Sequence, residues 1–176
     1  MVALSTQFLL PFASMVLLLA AAATDLAWRI IPNRIPVLVA SLGLVSQFII
    51  GDPIWSMIGA TTAFAICAVL WRLHVIGGGD VKLLAAVALC VPPANLLGLY
   101  MAIAMTGTGL GLIYLALRPV MRRLAPRLRA GLSKPATLGQ RIMRVEFWRI
   151  GRGRSLPYGI AIAVGTLTVI FQGIHQ

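Results

Sequence analysis

Residues 2–34 read VALSTQFLLPFASMVLLLAAAATDLAWRIIPNR. The run from Val2 to Thr24 carries no charged side chain, and a helix needs about 20 mostly apolar residues to cross a hydrocarbon core. The small residues at 21–24 mimic a signal-peptide cleavage site, but no basic segment precedes the apolar run, so it reads as a span. Its first positive charges, Arg29 and Arg34, come afterwards. Loops rich in Lys and Arg stay in the cytoplasm, which places the N-terminus outside and residues 25–34 at the cytoplasmic face.

Five more apolar runs follow, at 35–51, 54–71, 81–91, 95–117 and 156–174, separated by Pro, Gly or Arg. They predict an all-α polytopic membrane protein with about six transmembrane helices, the fourth short. Eleven residues extend only about 16 Å, so the fourth run is either a half-span or continues from a glycine stretch already inside the membrane. With alternating sides, all fifteen Lys and Arg fall on the cytoplasmic side and none on the other, with both termini outside.

Composition agrees. The 176 residues are 60% hydrophobic and only 11% charged, which excludes a soluble globule. The length fits one integral membrane domain over residues 1–176, with a basic cytoplasmic loop at 118–155. That loop holds eleven positive residues against Glu146. Two of its stretches, 121–132 and 138–150, interleave Arg with large apolar residues as interfacial helices do, and anionic lipids are the expected partner. The overall charge of +11 therefore reads as membrane orientation, and no nucleic-acid partner is expected. Cys67 and Cys90 stand apart inside apolar runs and suggest neither a disulfide framework nor a metal site. No cofactor is expected.

Only four residues are acidic: Asp25, Asp52, Asp80 and Glu146. Asp52 and Glu146 fall in loops and need no special role. Asp25 ends the first span, and Asp80 opens the fourth directly after Gly77, Gly78 and Gly79. An acid within a span costs about 2.5–3.5 kcal/mol at a helix centre, less near the interface, so such residues are functional candidates. Two carboxyls at one face of a bundle can share a proton. The ionised one then acts as base on water while the protonated one hydrogen-bonds the carbonyl under attack. The plainer alternative pairs Asp25 with Arg29 one turn on. Lys82 lies about 200° around a helix from Asp80 and is no natural partner for it.

The surroundings of these acids sharpen the reading. Asp25 is followed by Pro32-Asn33, Asp80 sits in GGGDVK at residues 77–82, and LPYGIA runs from Leu156 to Ala161. Together, in this order and in a chain of this size, they resemble the prepilin peptidases, GxGD-type membrane aspartic proteases, in the short form that serves tight-adherence (Flp) pili. The resemblance implies removal of a short leader from precursor pilins with a hydrophobic N-terminal helix, at the cytoplasmic face of a prokaryotic inner membrane. It implies Asp25 and Asp80 as the catalytic pair. Gly77, Gly79, Lys82, Pro32, Asn33, Pro157, Tyr158 and Gly159 are then substrate-binding or site-shaping residues. Gly77 and Gly79 would let a strand or flexible loop approach Asp80. Pro32 and Asn33 would start the second helix, Asn33 as a cap, and Pro157 would fit the first turn of the last. Tyr158 would either line the cleft or anchor the interface. The larger members' cytoplasmic insertion with paired CxxC motifs is missing, so N-methyltransferase activity is not expected. A rival reading is a proton-coupled transporter or channel component with Asp25 and Asp80 as a relay, although few polar residues stand between the two faces.

Overall fold

The computed structural model describes residues 2–131, 137–152 and 156–174. These form α1 (Val2–Trp28), α2 (Arg34–Ile50), α3 (Pro53–Arg72), α4 (Gly78–Ala88), a 3₁₀ turn at Pro93–Asn95, α5 (Leu96–Gly131), α6 (Leu138–Arg152) and α7 (Tyr158–Ile174). No strand occurs among the described residues, as expected of an all-α chain.

Among the described residues, three helical stretches are long and apolar enough to cross a membrane: Leu9–Trp28, Pro53–Arg72 and Pro93–Leu124. The apolar helices α2 and α7 have 17 residues each, about 25 Å of rise. Phe12, Phe48, Ile54 and Met105 are each more than 60% exposed. Such outward-facing apolar residues suit lipid, since the hydrophobic effect gives no reason to hide them there.

The 11-residue α4 is the centre of the packing. Val81, Leu83, Leu84, Ala86, Val87 and Ala88 are all buried, and α4 packs against α2, α3 and α7. The fully buried Leu18, Val39, Leu83, Leu99 and Ile162 come from five helices and meet in one core. Two close crossings depend on glycine. A Cβ on Gly43 would lie 2.7 Å from the carbonyl carbon of Leu89, the residue just after α4, and one on Gly165 would lie 2.6 Å from Ile103 Cα of α5. Small residues let membrane helices approach at this distance.

α4 starts three residues before its apolar run, with Gly78 and Gly79 in its first turn, so the fourth run continues from the glycine stretch. The arginine-rich stretches of the basic segment are helical where described, with α6 covering 138–152. Two expectations are corrected. α5 does not stop at Leu117 but runs through Pro119 to Gly131. A proline inside a helix costs about 3 kcal/mol, which is why the sequence suggests a stop at Leu117. Packing of α5 along both α6 and α7 offsets that cost. Leu132, at the end of the expected stretch 121–132, lies outside the described residues. Finally, Glu146 is not a loop residue but a buried one on α6, 7% exposed.

Candidate active site

The C-terminal end of α1 meets the N-terminal ends of α4 and α7, and each of the three contributes to one site. α1 runs one turn past Thr24, so Asp25 lies in its last turn, 7% exposed. The Gly159 N–H donates a 2.8 Å hydrogen bond to Asp25 Oδ2. The first N–H groups of a helix have no partner within it, and α7 turns one of these onto the carboxyl. Gly159 is required for the approach: a Cβ there would lie 2.9 Å from Asp25 Cβ and 3.0 Å from Oδ2.

Asp80 lies in the first turn of α4, directly ahead of the apolar run that begins at Val81. Gly77 is the N-cap residue of that helix, and the Asp80 carboxyl folds back toward it. Burial, and then the charge of Asp25, push the Asp80 carboxyl up to about 6, against the pull of the Gly77 backbone and of Arg29. The two acids of the sequence motifs are therefore brought close enough to act on each other. A pair in such a site holds one proton between its members over an intermediate pH range, and its titration belongs to the pair.

The glycines act by closeness, not by unusual conformation. Gly77 has φ −74°. A Cβ on it would lie 2.9 Å from Asp80 Oδ2, and one on Gly79 would meet Ile31 at 3.4 Å. The turn from α1 to α2 is thus seated on the first turn of α4. Asn33 occupies the N-cap position of α2 but makes no capping bond. Its Oδ1 instead accepts a 2.9 Å hydrogen bond from Lys82 Nζ, which ties α4 to the start of α2. Lys82 thus turns to Asn33. Pro32 is exposed in the turn, and its carbonyl accepts from the Ile35 N–H at 3.0 Å. Pro157 is fully buried and immediately precedes α7, one residue before its expected place in the first turn. The Tyr158 ring lies over Gly107 of α5, where a Cβ would meet it at 3.2 Å, so it packs in the helix interface.

Arg29 does not take the role of a simple ion-pair partner for Asp25. Its N–H closes α1 onto the Asp25 carbonyl at 2.9 Å, its φ is 57°, and its guanidinium pairs with Glu146 at 3.4 Å. Glu146 also accepts from Arg149 at 2.7 Å and from the Tyr114 hydroxyl. Sequence reasoning missed Glu146 because its partners lie up to 117 residues away. A usable signal was present: it is the single acid in an arginine-rich amphipathic stretch.

Among the described residues, no group of three or more His, Cys, Asp or Glu could hold a metal ion. A family model described as the type IV leader peptidase family matches residues 12–115. The match includes both acids and stops short of Glu146 and of the α7 segment bonded to Asp25. No curated protein and no solved structure gives a significant match.

Proposed function

Because the chain belongs to the type IV leader peptidase family, we propose that it is an aspartic endopeptidase that removes the leader from precursor pilins of the Flp type, with Asp25 and Asp80 as its catalytic pair. The observation that carries this reading is the meeting of the two acids at one end of the bundle, Asp25 held by the Gly159 N–H and Asp80 folded back against Gly77.

In this mechanism the ionised carboxyl takes a proton from water, and the resulting nucleophile attacks the scissile carbonyl. The protonated carboxyl hydrogen-bonds the carbonyl oxygen as negative charge develops there. Collapse of the tetrahedral intermediate breaks the C–N bond, and the proton taken from water passes to the leaving amine. The Gly159 N–H fixes the Asp25 carboxyl and the first turn of α4 carries Asp80, so both acids stand on rigid helix ends and little rearrangement is needed at the moment of reaction.

The distribution of Lys and Arg supports a site at the cytoplasmic face of a prokaryotic inner membrane, with α2, the short α4 and α7 completing six crossings and both termini outside. The arginine-rich α6 and the end of α5 then lie at the surface of that face, where anionic lipids are their partner. Leader removal proceeds without N-methylation of the product.

The test is co-expression with a precursor pilin and a gel shift for leader loss. Asp25→Asn and Asp80→Asn should each abolish processing while the protein stays in the membrane, because one carboxyl cannot be both base and proton donor. Normal processing by either variant would remove the pair from the mechanism.

A further inference from the structure

Charge is buried around the acids in a pattern that the hydrolysis itself does not call for. Glu146 lies on α6, a helix whose other charged residues are all arginines, yet it is turned inward and 7% exposed. Removing a carboxylate from water costs several kcal/mol unless it is paired and hydrogen-bonded. Here three donors meet it: Arg29 from the end of α1, Arg149 one turn on, and Tyr114 from α5. Arg149 reaches further and donates at 3.0 Å to the carbonyl of Leu26, the residue after Asp25. The end of α1 is thus held at two points just after Asp25, the Leu26 carbonyl and the Arg29 guanidinium. Arg29 is held there with a left-handed backbone, a conformation that disfavours arginine and persists where surrounding contacts determine it.

We propose that Glu146 is a positioning residue for the catalytic pair, clamping the end of α1 through Arg29 and Arg149 and balancing their charge so that the pair keeps one proton. This rests on the reading of Asp25 and Asp80 as the proteolytic centre. The charge count supports it. Arg29 and Arg149 contribute two positive charges, Glu146 one negative, and a pair holding one proton another negative, so the cluster is neutral as a whole. Neutrality of the group is what a poorly solvated site requires. The titratable and charged groups gathered here among the described residues are Asp25 and Arg29 at the end of α1, Asp80 on α4, Tyr114 on α5, and Glu146 and Arg149 on α6. On α7 the nearest ionisable group, Tyr158, is turned to Gly107, and Lys82 on α4 is turned to Asn33.

The balance makes opposite predictions for opposite charges. Glu146→Gln leaves the two arginines in excess, which favours loss of the remaining proton. Arg149→Gln leaves negative charge in excess, which favours keeping it. A purely structural clamp would lower activity in both variants without moving the pH profile in opposite directions.

The experiment follows cleavage against pH for the full-length protein in lipid nanodiscs. The probe is a synthetic precursor with a short basic leader ending in glycine before an apolar helix. For Glu146→Gln the alkaline limb should move to lower pH by about half a unit or more, and for Arg149→Gln to higher pH by a similar amount. Should Glu146→Gln fail to fold, Arg149→Gln carries the test alone. Limbs that coincide with the parent protein's, or move in the same direction, overturn the role of Glu146. If Asp25→Asn and Asp80→Asn are inactive in the same assay, the peptidase reading survives that outcome; if either cleaves normally, both readings fall.

Discussion

The chain places acids at both ends of its helical bundle, and the two ends treat them differently. At one end Asp52 is exposed and caps α3, its side chain accepting from the Trp55 N–H at 3.5 Å. At the other, Asp25 and Asp80 are drawn inward by converging helix ends, near each other and within reach of a second buried charge cluster. The residue type is the same; what differs is how much solvent remains to stabilise the ionised form. A carboxylate in water is a helix cap, whereas a pair removed from water has a proton to share.

The sharpest way to break this contrast is at the contact that draws Asp25 in. Gly159→Ala places a methyl carbon 2.9 Å from Asp25 Cβ and 3.0 Å from Oδ2, so the carboxyl must shift. A displacement of about 1 Å at a reacting group costs on the order of 10²-fold in rate, and a loss of at least that size is expected in the cleavage assay. Gly165→Ala, further along α7, meets the backbone of Ile103 instead. It should lower thermal stability in detergent by about 1–3 kcal/mol, with cleavage per folded molecule retained. Equal activity losses in the two variants would mean that Gly159 matters only for packing.

A smaller effect lies in the pH profile. Asp80 is raised from 3.8 to about 6, first by burial and then by Asp25. Because the folded value lies above the unfolded one, its contribution to stability is fully present below 3.8 and is lost as pH rises through about 6. Cleavage needs the shared proton, so its alkaline limb should fall near the same upper value. A limb near the ordinary carboxylate value would show that Asp80 is solvated like Asp52.

The smallest effect belongs to Asp52→Asn. Asn caps helices as well as Asp does, so stability should change by less than about 0.5 kcal/mol, with leader removal unaffected. Lost processing in this variant would erase the distinction between the two ends.

Much of the acid-bearing end was legible in the sequence because its signals are local. A charge directly after an apolar run, glycines directly before another acid, and PYG at the head of the last helix each mark a helix end. What was not legible depends on distance along the chain. Asn33 looks like a cap, but Lys82, 49 residues away, takes its side chain. Glu146 looks like a loop acid until Arg29 and Tyr114 are beside it. The glycine run looks like a flexible connection, yet Gly77 and Gly79 serve contacts with Asp80 and Ile31, which no local rule contains. The end of α5 was misread because the cost of Pro119 is local, whereas the packing that offsets it comes from α6 and α7.

The shortness of α2 and α7 has a consequence for the lipid around them. At 17 residues each, they rise about 25 Å, against a hydrocarbon core of about 30 Å. A bilayer meeting short helices thins to match them, at a modest cost per ångström. On the proposed six-crossing topology, the headgroups beside each of these two helices would be pulled inward, and the water that accompanies them would reach deeper there. The start of α7 is also the element that grips Asp25. Bilayer thickness itself becomes a variable of the reaction: thicker acyl chains would starve the site of water without touching a single side chain.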